Sequence, residues 1–253
     1  MSAPQTDRSK HPPSPSFRLA PTAALRRGGA IALFAAIAVV GLVGDLWSKQ
    51  AVFSALLPKE LLDEPQWVAR GQAIRAYLES LPIYANRPEA ERRPEVSSGV
   101  LRSLDRHHQA APGLRLTLST NPGVVFGLSV PRPAVWVATG LTTLLVVWFF
   151  AVSDAKARWL HAALGMVLAG AVGNLYDRLF ATVAVPGLDE PIRHQVRDFI
   201  DCSQISVGGV NYPYIFNIAD VLLVVGVGIL LVHWWLAGRK AAPDGSKGGK
   251  VKD

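Results

Sequence analysis

Apolar positions along this chain gather into four long blocks: residues 28 to 44 continuing to Phe53, 133 to 152, 159 to 176, and 215 to 237. About 20 mostly apolar residues cross a hydrocarbon core, so the pattern predicts four transmembrane helices. Between the blocks, "GLRLTLST" (113 to 120) alternates in the manner of a strand, and "QISVGGVNY" (204 to 212) has a strand-turn-strand look around its Gly pair. Together they predict a small β element on the outer membrane surface. From Leu57 to Pro112 the pattern turns charged and Pro-containing; "EPQWVARGQAIRAYLESL" is helix-prone, and "NRPEAERRPEVSS" reads as loop. The expected fold is an all-α membrane protein: four transmembrane helices with a small extracytoplasmic β element and an extracytoplasmic insertion. The expected division is a disordered cytoplasmic tail (1–27), a first helix with its outer extension (28–57), the insertion (58–112), a unit of β element and three helices that holds the candidate site (113–237), and a flexible cytoplasmic tail (238–253). The insertion reads as an accessory surface whose removal (62–108) spares the chemistry.

The chain has 253 residues, 50% of them apolar, and a formal net charge of +7. The bases do not cluster on one candidate folded face, so no nucleic-acid partner is expected. Five precede the first block (Arg8, Lys10, Arg18, Arg26, Arg27), two lie at Lys156 and Arg158, and five follow the last block (Arg239, Lys240, Lys247, Lys250, Lys252). In a four-pass chain these regions share one side, and the positive-inside rule makes it the cytoplasm. The connection from 46 to 132 holds 11 bases, but loops beyond about 60 residues cross largely regardless of charge. "LRRGGAIALFAAIAVVGLVG" also has the outline of an export signal, yet no A-x-A site follows and the apolar run continues into "DLWSKQAVF". A lone cysteine, Cys202, excludes an internal disulfide and a Cys-rich metal site.

Three acids stand at the ends of charge-free runs. Seventeen uncharged residues separate Asp45 from Arg27, roughly 26 Å of helix. Eighteen separate Asp177 from Arg158, and eighteen separate Asp220 from Arg239, about 27 Å in each case. All three therefore reach one level, the outer interface. Asp198, in "HQVRDFID", lies on the outer connection and is flanked by Val196 and Phe199, which predicts a short apolar segment dipping against the bundle. A carboxylate beside hydrocarbon is costly unless partnered, so such acids are functional candidates, although each taken alone equally marks a helix end. Lys49 follows Asp45 by four and reads mostly as its helix-end ion partner. "GAVGNLYDRL" puts Asn174 and Arg178 on one helical face near Asp177, with Gly170 and Gly173 permitting close helix approach. "TNPGVVFGL" supplies Asn121 and Gly123 before the second helix, and "FNIAD" puts Asn217 one turn before Asp220.

No H-E-x-x-H or G-x-S-x-G occurs, and the six His show no ligand spacing, which disfavours a metalloprotease or a serine hydrolase of that type. Ser48 and Lys49 are adjacent and point apart on a helix. A carboxylate pair remains. Two close carboxyls share one proton, the charged one taking a proton from water and the protonated one donating to a carbonyl oxygen. That chemistry needs no metal and no cofactor.

In order and position, "DLWSK" (45 to 49), "NPGVVFG" (121 to 127), "GAVGNLYDRL" (170 to 179), "VRDF" (196 to 199) and "FNIAD" (216 to 220) resemble the five motifs of the lipoprotein signal peptidases, the type II signal peptidases of bacteria. The resemblance covers about 28 to 57 and 113 to 237. It implies that Asp198 and Asp220 form a catalytic dyad. It also implies that Asn121, Gly123, Asn174, Asp177, Arg178 and Asn217 shape the site or bind the substrate backbone, with Asp45 in support beside Lys49. The implied substrates are diacylglyceryl-modified prolipoproteins, cut just before the lipidated Cys in the bacterial inner membrane. With the charge pattern above, the active site is expected at the outer face among membrane lipid, in a chain expected to be a monomer. Arg197 stands where the family commonly has an apolar residue, and a guanidinium beside Asp198 is expected to lower that acid's pKa. A presenilin-type protease fails on the missing G-x-G-D. A proton-coupled carrier would use the acids as a relay, but they lie at one face and not at the midplane. A membrane scaffold without activity is the third alternative.

Overall fold

The computed structural model describes residues 27–125, 128–129, 132–211 and 214–241. Of the expected tails, residues 1–26 and 242–253 lie outside the described residues, whereas residues 238–241, expected in the flexible C-terminal tail, instead continue the last helix. Helix α1 (Gly28–Leu56) is followed by α2 (Pro65–Ser80), α3 (Pro82–Ala85) and α4 (Glu89–Ser103), then by α5 (Arg132–Val152), α6 (Arg158–Phe180) and α7 (Ile218–Ala241). Four of these, α1, α5, α6 and α7, are long and apolar enough to cross a membrane, and each grows from one predicted apolar block. At 29 residues, α1 is about 44 Å long and outreaches a hydrocarbon core of roughly 30 Å.

Helix α6 is the centre of the bundle. Over its most apolar stretch 56% of residues are buried, against 11% in each of the other three, and it packs on α1, α5 and α7. Small residues allow this. A methyl group at Gly170 would sit 2.4 Å from the Ala219 carbonyl oxygen, and one at Gly173 2.5 Å from Asp45 Oδ2. The other three helices turn Val40, Leu144 and Val224 outward, the surface a lipid-facing helix needs.

The strands are β1 (His107–Ala111), β2 (Leu114–Asn121), β3 (Val124–Val125), β4 (Leu128–Ser129), β5 (Thr182–Val183), β6 (Ile192–Arg193), β7 (Val196–Asp201), β8 (Ser206–Val207), β9 (Val210–Asn211) and β10 (Ile215–Phe216). One antiparallel sheet has the order β1-β2-β7-β10, and the rest pair as β3-β4, β5-β6 and β8-β9. Both predicted strand regions are present. The β8-β9 turn is made by Gly208 and Gly209 at φ +60° and +81°, a left-handed geometry that glycine adopts without penalty. The segment expected to dip against the bundle is instead strand β7, hydrogen-bonded on both sides, with Ser119 opposite Asp198 and Phe216 opposite Ile200. Burial of five of its six residues hides the polar-apolar alternation that would have marked it.

A second correction concerns the insertion. "NRPEAERRPEVSS" is not a loop: from Glu89 it forms most of α4, with Pro94 inside the helix. An interior proline costs about 3 kcal/mol. Val96, Val100, Leu101 and Leu104 are nearly fully buried, and at about 1.5 to 3 kcal/mol for each such side chain their burial outweighs that cost. They share a core with Leu118 of β2, Phe199 of β7 and Phe53 of α1. Helix α2 adds a backbone contact so close that a methyl group at Gly71 would lie 1.9 Å from the Pro186 carbonyl oxygen. The insertion thus underlies the sheet instead of standing apart as an accessory surface.

Candidate active site

Strand β10 runs into α7 through Asn217, and the start of that helix builds half of the site. Asn217 is the N-cap: its Oδ1 accepts the Asp220 N–H at 3.0 Å, while Asp220 Oδ2 accepts the Asn217 N–H at 3.2 Å. This reciprocal arrangement is a capping box. The Ala219 N–H donates to Asp45 Oδ1 from α1 at 2.9 Å. Asp45 therefore caps a neighbouring helix, and the closeness of Gly173 leaves room for it.

Beneath lies a buried chain of alternating charge. Lys49 Nζ is 2.8 Å from Asp45 Oδ2 and 3.3 Å from Asp177 Oδ2, with no solvent exposure at any of the three side chains. Arg197 Nη2 and Nε donate to Asp177 Oδ1 at 2.7 and 3.2 Å, and its backbone N–H donates to Asp177 Oδ2 at 2.9 Å. Two acids and two bases neutralise one another, as buried charges require. The Asp45–Lys49 pair is therefore the middle of a network and not a helix-end pair.

This network orients the amides above it. Lysine only donates, so Asn174 turns Oδ1 to Lys49 Nζ at 3.0 Å and its amide Nδ2 donates to Asp220 Oδ1 at 2.8 Å. Asn217 Nδ2 donates to Asp198 Oδ1 at 2.6 Å and to Asn174 Oδ1 at 3.2 Å. Asp198 and Asp220 are thus joined through Asn217, one from a sheet strand and one from a helix start.

Burial, reinforced by the nearby charge of Asp220 and opposed by the Asn217 hydrogen bond, pushes the Asp198 carboxyl up to about 8. At neutral pH it holds a proton. Asp201 in the same strand behaves oppositely: burial raises it, but hydrogen bonds from Ser203 and Arg115 outweigh that and hold it below its usual value. The expectation that Arg197 lowers Asp198 is corrected. Successive strand residues face opposite ways, so Arg197 spends its charge on Asp177.

The structure gathers Asp45, Lys49, Asn174, Asp177, Asn217, Asp198 and Asp220 into one network. Arg178 stands beside it: Nη1 donates to the Asn174 carbonyl at 3.3 Å, and the charge lies within electrostatic reach of Asp198 and Asp220. Asn121 and Gly123 form a turn at the end of β2, the Gly123 N–H donating to Asn121 Oδ1 at 2.9 Å. Gly123 has φ +107°, which requires glycine. Asn121 pairs with Val196, two residues along β7 from Asp198. Sequence reasoning missed Arg197 as a network member. An arginine within an otherwise mostly apolar "QVRDFI" was the available signal, since a buried guanidinium demands an acid.

Four helices long and apolar enough to cross a membrane carry, at one end, two acids joined through an amide, and comparison with known proteins gives the family. The family model described as signal peptidase (SPase) II matches residues 96–236; the chain belongs to that family, and it is a protease of a membrane. It is similar to the "Lipoprotein signal peptidase" of Rhodopirellula baltica, 28% identical over 272 residues, covering 99% of this chain and 98% of the relative. It is also similar to the protein of that name from Desulfitobacterium hafniense, 32% identical over 126 residues, covering 49% of this chain and 71% of the relative. A solved bacterial membrane enzyme is similar at a TM-score of 0.43 and 20% identity, covering 75% of this chain and 96% of that one.

Proposed function

We propose that this chain removes signal peptides from lipid-modified prolipoproteins as an aspartic endopeptidase of the bacterial inner membrane, with Asp198 and Asp220 as its catalytic pair. The relatives' shared name and the family membership support the reaction; neither lends anything to a carrier. The observation that carries the residue assignment is the junction at Asn217, which holds Asp198 and Asp220 together while Asp198 keeps its proton.

In this mechanism Asp220 takes a proton from a water molecule as the water oxygen bonds to the scissile carbonyl carbon. Asp198 gives its proton to the carbonyl oxygen. The resulting gem-diol collapses, the carbon–nitrogen bond breaks, and the leaving nitrogen receives the proton now on Asp220. Asp198 recovers its own from the diol hydroxyl. No cofactor enters. Asn174 and Asn217 hold the two carboxyls in place, Arg178 adds positive charge nearby, and the Asn121–Gly123 turn shapes the site beside β7.

The basic residues at both ends of the chain and in the α5–α6 turn favour the cytoplasm for the termini. The paired acids, the sheet and the 58–112 segment then lie at the outer face, where a diacylglyceryl anchor brings the peptide bond to that height. The test is incubation of the purified chain with a diacylglyceryl-modified prolipoprotein peptide and mass analysis of the products. One cut before the lipidated Cys, absent from the unlipidated peptide, is expected. Cleavage elsewhere, or equal cleavage of both peptides, would refute this specificity.

A further inference from the structure

At the end of the bundle away from the acids, the starts of α1 and α6 and the α5–α6 turn enclose a cavity of about 790 Å³. Asp177 lies about five turns further along α6 than Arg158, roughly 28 Å away, so this space is separate from the proteolytic site. Arg27, Lys156 and Arg158 line it. Among the described residues none of the three forms an ion pair. The acid of the turn, Asp154, is turned to the Lys156 backbone N–H at 2.7 Å. Helices α1 and α6 both begin without a side-chain cap, which adds the partial positive charge of two helix starts.

His161 lines the cavity and is fully buried. Its Nε2 is 2.9 Å from Ser153 Oγ, and the ring also interacts with the Asp154 backbone, so this wall of the cavity is fixed by the α5–α6 turn. The remaining wall is apolar at Ala30 and Leu33, and Trp159 stands largely exposed, as indoles do at membrane interfaces. Cations on one side and hydrocarbon on the other match an amphipathic anion.

We propose that this cavity binds an anionic phospholipid from the leaflet opposite the paired acids, with its phosphodiester among Arg27, Lys156 and Arg158 and its glyceride portion against Leu33 and Ala30. Basic pockets between transmembrane helices suit such head groups. Native mass spectrometry of the full chain in neutral detergent, titrated separately with short-chain phosphatidylglycerol, phosphatidylcholine and inorganic phosphate, tests this. The chain is expected to take up one phosphatidylglycerol at least about 10-fold more tightly than phosphatidylcholine, a gap that one net charge among three cations readily supplies. Two variants separate the cavity from a merely basic surface. Lys156→Gln with Arg158→Gln should abolish the preference, and so should Gly29→Trp, which keeps every cation but fills space that is open beside Gly29. Equal uptake of the two lipids, or a preference that survives in Gly29→Trp, would overturn the proposal. Inorganic phosphate bound as tightly as the lipid would also overturn it, by assigning the site to a free anion.

Discussion

Asp198 is the residue on which pH acts most directly. Because its carboxyl is raised to about 8 and the proposed reaction needs its proton, the active form is expected below that value and is lost as pH rises through it. The prediction is an alkaline limb in kcat/KM with an apparent pKa near 8, since that ratio reports the free enzyme; activity still climbing at pH 9 would contradict it. Lys49 carries a second prediction. Lys49→Met leaves Asp45 and Asp177 facing a single base, and breaking a buried ion pair typically costs about 3–5 kcal/mol. The double variant Asp45→Asn with Lys49→Met keeps the Asp177–Arg197 pair and an oxygen to cap Ala219, so it should unfold at a higher temperature than Lys49→Met alone. Thermal unfolding in detergent checks the order. Asp220 was legible in the sequence as a charge at the edge of an apolar run, and Asp198 as an acid between Val196 and Phe199 on the connection before it. The capping box was also legible, in the N-x-x-D spacing of Asn217 and Asp220. The direction of Asp198's shift was not, because it depends on which way Arg197 points, and only strand pairing decides that.

Single elements were readable where one force dominates. Long apolar blocks gave four helices, and the Gly pair at 208 and 209 gave a hairpin. Where tertiary burial overrides local preference the reading failed: Pro94 and its charged neighbours disguised α4, and the burial of β7 disguised the strand that carries Asp198. The same packing reverses the expectation that 62–108 can be removed. Deleting it strips Val96, Val100, Leu101 and Leu104 from the core shared with Phe199, together with the Ser98 hydroxyl that donates to the Thr120 carbonyl and the Pro94 carbonyl that accepts from Gln195. The variant should lose cleavage even of a short lipidated peptide. Full cleavage by an inserted, folded deletion variant would show that β7 holds its position without α4.

At the scale of the whole molecule, the fold sets the paired acids at one end of a bundle and unpaired bases at the other. In a Cys202→Ser background, Asp189→Cys should react with an impermeant maleimide added outside intact cells, whereas Asp154→Cys should react only after lysis. The reverse pattern would invert the orientation. The proposed chemistry requires that the two carboxyls joined through Asn217 share one proton. Cleavage of a lipidated prolipoprotein peptide by Asp198→Asn and by Asp220→Asn, each checked for wild-type thermal unfolding, tests this most directly. Each variant is predicted to lose at least about 10³-fold in kcat, the scale of a lost acid or base. Turnover near wild type in either folded variant would contradict the assignment.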